Sequence, residues 1–261
     1  MEPPPHADRR QEIQQTGRGL EVVDIRKAFG SRQVLNGISL QVSRGEVVGL
    51  FGRDGAGKTV TMYCILGLLK PDSGRVVLDG QDVSRMPYYR RAMLGLGYLP
   101  QQPSIFRGLT VSQNIMAMLE IVEPDRSRRQ ERLETLLRDL GIDALRDAQA
   151  TSLSGGERRR CEVARALALE PAFILLDEPF AGIDPMTIGS IKRIIQDFKR
   201  RGIGVLLTDQ NVREMMAVID RACVIEEGAT VFSGSPADML HDQHVIDFYL
   251  GQGRVSQFEK G

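Results

Sequence analysis

The chain has 261 residues, 42% hydrophobic and 26% charged, with Lys plus Arg and Asp plus Glu both totalling 34. That length holds one large α/β domain, or a core with a smaller inserted subdomain, and the composition is that of a globular protein. The zero formal charge, the lack of Trp and an aromatic content of 5% argue against a nucleic-acid-coating surface or a base-stacking platform.

Cys64, Cys161 and Cys223 are far apart, odd in number and without CxxC spacing. We read them as reduced thiols, not as a disulfide framework or a zinc site. No apolar run approaches the roughly 18 residues of a membrane span. No charged n-region with an apolar h-region opens the chain. A membrane role would therefore run through a partner.

In chain order, residues 1–19 hold consecutive prolines and several charges with almost nothing apolar. We expect a disordered tail there, with folded sequence from near Leu20. Val47–Phe51, Val76–Leu78, Phe173–Leu176, Val205–Leu207 and Cys223–Ile225 are apolar runs of strand length. Runs apolar on both faces predict strands buried in a sheet that helices cover. A helix is expected over Lys58–Leu69. Leu133, Leu136, Leu137 and Leu140 recur at helical spacing among charges, which marks an amphipathic helix. Asp184-Pro185 reads as an N-cap with Pro at the first helical position, opening a helix to about Lys199. Ser235-Pro236-Ala237-Asp238 repeats that logic with an acidic residue at the third position. Residues about 102–168 read as mostly helical, between strands on both sides. That pattern points to an α/β core with a helical insert.

The stretch Gly52-Arg53-Asp54-Gly55-Ala56-Gly57-Lys58-Thr59, followed by Val60, lies between an expected strand and an expected helix. It fits the P-loop pattern GxxxxGK[ST] in its required context. The glycines let the backbone curl so that its N–H groups face phosphates, and the helix presents its positive end to them. Lys58 can reach the β- and γ-phosphates of ATP, and the Thr59 hydroxyl can ligate Mg²⁺. A chance glycine-rich turn is the plain alternative, and the context weighs against it. Phe173–Leu176 runs into Asp177 and Glu178. Asp177 can help hold Mg²⁺, and Glu178 can polarise an attacking water. Acidic residues often cap strands, so this pair gains its meaning from the loop at 52–59.

With Leu153-Ser154-Gly155-Gly156-Glu157 the chain resembles the ABC ATPase family. A Ser N-cap with flexible glycines is the plain reading. The same helix terminus, with bare amides, is also an anion site. The resemblance covers about residues 20–251, leaving 252–261 as a C-terminal tail. It implies a RecA-like P-loop nucleotide-binding core, an inserted α-helical subdomain at about 102–168 and a small antiparallel β region. It implies a head-to-tail dimer in which Ser154, Gly155 and Gly156 meet the γ-phosphate of ATP on the other subunit. It makes Phe29 the aromatic that stacks on adenine, with an ordinary core Phe as the alternative. It makes Gln101, after Tyr98-Leu99-Pro100, the glutamine that links Mg²⁺ and the water to the helical subdomain. It places Ala181-Gly182-Ile183-Asp184 at the D-loop.

Several stretches are similar to the lipopolysaccharide-export ATPases of Gram-negative bacteria: residues 97–107, 153–160, 173–185, 211–214 and 248–251. By that resemblance the cargo is lipopolysaccharide, and the chain sits peripherally on the cytoplasmic face of the inner membrane. Integral membrane subunits would dock in a groove near Ser104, Ile105, Phe106 and Arg107. Phe106 could equally be plain core. Arg158–Arg160 reads first as a solvated helix face and also matches the export group. ATPases of branched-chain amino-acid importers share many of these features. The resemblance gives no role with nucleic acid, because this chain has neither a second nucleotide-binding unit nor a coiled-coil insertion.

Departures also show. Gln210 stands where the family normally carries a switch His that contacts the γ-phosphate. Glutamine donates a hydrogen bond but carries no proton charge. Arg53-Asp54 replaces the usual Pro-Asn, and Val60 a second hydroxyl residue. We expect ATP to be hydrolysed slowly, since losing one well-placed transition-state group commonly costs powers of ten. A nucleotide-binding regulatory subunit with little turnover is the alternative.

Overall fold

A computed structural model describes residues 19–181 and 185–250. It begins with a long antiparallel hairpin, β1 (Leu20–Phe29) and β2 (Arg32–Val42), followed by β3 (Val47–Phe51) and α1 (Lys58–Leu66). Then come β4 (Ser73–Leu78), β5 (Gln81–Asp82), α2 (Tyr88–Met93) and β6 (Leu96–Leu99). Helices α3 (Val111–Val122), α4 (Arg126–Asp139) and α5 (Gly155–Leu167) follow. The chain continues through β7 (Phe173–Asp177), α6 (Pro185–Arg200), β8 (Gly204–Thr208), α7 (Val212–Met216), β9 (Arg221–Glu226) and β10 (Ala229–Gly234). It closes with α8 (Pro236–His241), α9 (Gln243–Val245) and a π-type turn, Ile246–Leu250.

Two sheets result. One is antiparallel, in the order β2-β1-β4-β5. The other runs β10-β9-β3-β8-β7-β6. Within it β9, β3, β8, β7 and β6 are parallel, and only the edge strand β10 is antiparallel among these described strands.

Alternation along the parallel strands distributes side chains to two cores. Val47, Phe51, Ile174, Leu176, Val205, Leu207 and Val224 join the core under α3–α8. Val48, Leu50, Phe173, Leu175, Leu206, Cys223 and Ile225 join the core shared with α1 and the antiparallel sheet. Strands buried on both faces are therefore apolar throughout, as the runs in the sequence show. Between β6 and β7 the described elements are helical, with Leu133, Leu136 and Leu137 facing inward from α4. All three cysteines are buried free thiols.

The structure corrects two expectations. The helix after the loop ends at Leu66, not Leu69, because Gly67 adopts a left-handed C-cap (φ 75°) and Leu68 N–H turns back to Tyr63 O at 3.0 Å. The last carbonyls of α1 are then taken by Arg91, which is 1% exposed and donates to Cys64 O at 2.9 Å and Ile65 O at 2.5 Å. A cation there also suits the negative end of the helix. Val76–Leu78 is strand, but it lies in the antiparallel sheet against β1, preceded in β4 by the exposed Ser73–Arg75. The N-cap assigned to Asp184 falls outside the described residues, although α6 does start at Pro185. Ser235 caps α8 in a reciprocal box with Asp238.

Candidate nucleotide site

In a parallel sheet the carboxyl ends of neighbouring strands open into one crevice, where ligands bind. Here β3 delivers the loop 52–59, β7 delivers Asp177 and Glu178, β8 delivers Gln210, and β6 delivers Gln101.

The loop curls through Gly52 (φ 155°), Gly55 (φ 81°) and Gly57 (φ 106°). At Gly52 a Cβ would lie 2.6 Å from Ile225 O, so no side chain fits there. Gly57 caps α1 without any side-chain hydrogen bond. The first-turn amides therefore receive no side-chain cap, the arrangement that suits a phosphate. Lys58 Nζ donates to Gly52 O at 2.7 Å and to Arg53 O at 3.1 Å, so the ammonium lies across the loop. Burial lowers its pKa, while Asp54, Glu178 and Asp177 work to raise it. Arg53, Asp54, Gly55 and Thr59 are exposed, Ala56 is buried and Val60 is half-buried.

Asp177 is 7% exposed at the end of β7. Thr208 Oγ1 donates to its Oδ1 at 3.0 Å, and Tyr98 Oη approaches Oδ2 at 3.4 Å. Burial, and then the Asp177 carboxylate, push the Tyr98 hydroxyl up, so it stays a donor. Glu178 sits in the left-handed region (φ 46°), with its N–H donating to Thr208 O at 2.8 Å. That uncommon backbone turns its carboxylate between two amides. Gln101 Nε2 donates to Oε2 at 2.7 Å, and Gln210 Nε2 reaches Oε1 at 3.5 Å. Asp209 fixes this corner from below, accepting from Phe180 N at 2.7 Å and Asn211 N at 2.8 Å. Burial raises its pKa against those backbone bonds.

Sequence reasoning gave no role to Tyr98, Thr208 or Asp209. Thr208 was recoverable only through register, since it pairs directly with Asp177 across β7 and β8.

The other residues singled out lie elsewhere. Phe29 ends β1 and is 50% exposed, with Lys27 Nζ 5.7 Å from its ring centroid, so the core alternative is set aside. Ser154 caps α5 through a full box with Glu157, its N–H reaching Glu157 Oε2 at 2.8 Å. Gly155 is exposed, and a Cβ there would meet nothing within 4 Å. Phe106 is 41% exposed under the Arg165 guanidinium, 4.0 Å away, and so is not plain core. Ile105 packs partly buried against the core beneath. Ser104 N donates to Glu162 Oε1 at 2.7 Å, and Arg107 is exposed. Arg158–Arg160 are half-buried, not a solvated face. Arg159 donates to Pro100 O at 3.3 Å and pairs with Glu162 at 3.2 Å. Of the D-loop stretch, Gly182, Ile183 and Asp184 fall outside the described residues.

A P-loop on a parallel sheet, a strand ending in paired carboxylates and a Ser-Gly-Gly helix cap together define a nucleotide-hydrolysing cassette. The chain belongs to the ABC transporter family, whose sequence model matches residues 35–181. It is an ATP-binding subunit of that family, which couples ATP hydrolysis to transport. Such subunits work as dimers with membrane transporter subunits.

Among its relatives, a "Probable ABC transporter ATP-binding protein" of Azorhizobium caulinodans is 53% identical, covering 89% of this chain and 83% of the relative. The "Lipopolysaccharide export system ATP-binding protein LptB" of Acidithiobacillus ferridurans is 49% identical, over 89% of this chain and 96% of its own length. That of Escherichia coli is 47% identical, over 89% and 97%. A crystal structure of the ADP conformation of an ATP-binding cassette of an ABC transporter superposes with a TM-score of 0.79 at 28% identity. It covers 90% of this chain and 99% of that one.

Proposed function

We propose that two copies of this chain, docked on the cytoplasmic face of membrane subunits, power lipopolysaccharide extraction from the inner membrane. The cargo rests on the LptB relatives, which match along nearly their whole length. The hydrolytic reading rests on one observation: Glu178 is held between Gln101 and Gln210 just past the end of β7.

The chain's residues divide the work as follows. The amides of Gly52–Thr59 cradle the triphosphate, and Lys58 leaves its loop carbonyls to meet the β- and γ-phosphates. Phe29 stacks on adenine. Thr59, Asp177 and Gln101 offer oxygen donors of the hard type that Mg²⁺ takes alongside phosphate oxygens. Asp177 fits that task, since its described partners are hydroxyls and no second carboxylate. Mg²⁺ there would neutralise phosphate charge. Glu178 orients the attacking water and takes its proton. Ser154, Gly155 and Gly156 of one copy close on the γ-phosphate held by the other. The nucleotide-binding domain spans 20–251, with 102–168 as its moving helical subdomain. The groove at Ser104–Arg107 carries that motion to the membrane subunits.

Gln210 slows turnover in this reading, because it reaches Glu178 weakly and holds no charge. Gln210→His should raise phosphate release, on the order of tenfold or more; unchanged turnover would show that Gln210 is merely tolerated. Purification from detergent-solubilised membranes tests the cargo. Export-type membrane subunits are expected, and a binding-protein-dependent permease would replace the export reading with an importer.

A further inference from the structure

The C-terminal segment touches the nucleotide loop through side chains that the mechanism above does not use. The Arg53 guanidinium lies 4.6 Å from the Phe248 ring centroid. The next residue, Tyr249, meets Phe51 edge-on at 6.1 Å. Consecutive C-terminal aromatics thus engage both residues that flank Gly52. Phe248 is itself backed by His244, whose ring lies nearly parallel at 6.1 Å and 8°. His244 Nε2 lies 2.7 Å from Glu226 Oε2. Glu226 ends β9, and its neighbour Ile225 is the residue whose carbonyl would block a Cβ on Gly52.

This arrangement matters because of what Arg53 does with its backbone. Its carbonyl accepts from Ala56 N and from Lys58 Nζ, each at 3.1 Å. A loop with Gly52, Gly55 and Gly57 at positive φ has little stiffness of its own. A side-chain anchor at Arg53 narrows the positions that this carbonyl, and with it the turn that it closes through Ala56 N, can take.

We propose that Phe248 is a positioning residue for the phosphate-binding loop, stacking on Arg53 so that the C-terminal segment sets nucleotide affinity without touching nucleotide. The proposal rests on the reading of residues 52–59 as the triphosphate site. Its size is that of an exposed cation–π contact, about 2–5-fold in affinity.

The test is equilibrium binding of a fluorescent ATP analogue with Mg²⁺ to the full chain, beside the steady-state KM and kcat for ATP. Phe248→Leu keeps apolar bulk and removes the ring; it should weaken binding about 2–5-fold and raise KM with kcat held. Phe248→Tyr keeps the ring face and should restore wild-type affinity. In an Arg53→Gln background, Phe248→Leu should add nothing. Wild-type affinity in Phe248→Leu would overturn the proposal, and so would an equal loss with and without Arg53. Lys58→Ala is the control for the underlying reading. If that variant binds nucleotide normally, the loop is not the triphosphate site, whatever the Phe248 series shows.

Discussion

The carboxyl edge of the parallel sheet and the N-terminus of α5, the two places proposed to meet phosphate, are held in different ways. At the sheet edge, Glu178 has amides from two other loops on its oxygens, and Asp177 has hydroxyls from two other strands. At α5 the described partners of Ser154 come from its own first turn, and Gly155 faces open space. One region is positioned by the rest of its own chain. The other is a cap held ready by local bonds. Under the proposed head-to-tail arrangement, the locally held cap is the half that meets nucleotide carried by a second chain.

Separating the two halves carries the largest expected effect. Lys58→Ala disables the sheet edge and Gly156→Asp puts a carboxylate on the α5 cap. Either homodimer should lose nearly all turnover. A mixed dimer keeps one intact site and should recover on the order of half the wild-type rate, given a head-to-tail interface. No recovery in mixed dimers of verified composition would mean that each chain uses its own cap.

Smaller effects are expected in stability. Arg91 holds the C-terminus of the helix that follows the loop, so Arg91→Ala strands buried carbonyls at Cys64 and Ile65. We expect a loss of about 3 kcal/mol, read by denaturant unfolding; a midpoint unmoved from wild type would show that water satisfies those carbonyls. Ser154→Ala removes only a local cap and should cost about 1 kcal/mol, with nucleotide binding by the isolated chain intact. A much larger loss would mean that α5 is tied into the fold at its first turn after all.

Much of the candidate site was legible because its residues follow strand ends. The run Val47–Phe51 coincides with β3, and the loop after it is spelled out in glycines. Asp177 and Glu178 stand where an apolar strand stops. Local signals also sufficed at Ser235, whose capping box needs only four consecutive residues. What escaped reading depends on contacts distant in sequence. β1 and β2 carry charged, exposed positions and register shifts, so no clean alternation announces them. Val76–Leu78 reads as buried strand, but only its pairing with β1 places it in the antiparallel sheet. The pairing of Thr208 with Asp177 is a matter of register, invisible until β7 and β8 are aligned. Arg91 looks like one more surface charge in Arg90-Arg91, yet it is buried on the end of α1.

In the proposed mechanism Glu178, held by Gln101 and Gln210, drives water onto the γ-phosphate. Steady-state phosphate release by the purified chain, beside Glu178→Gln, tests it most directly. The account predicts slow but measurable release from the wild type. In Glu178→Gln it predicts a fall of about 10²–10⁴-fold with ATP still bound. Equal release from the two proteins would contradict it and move the general base elsewhere.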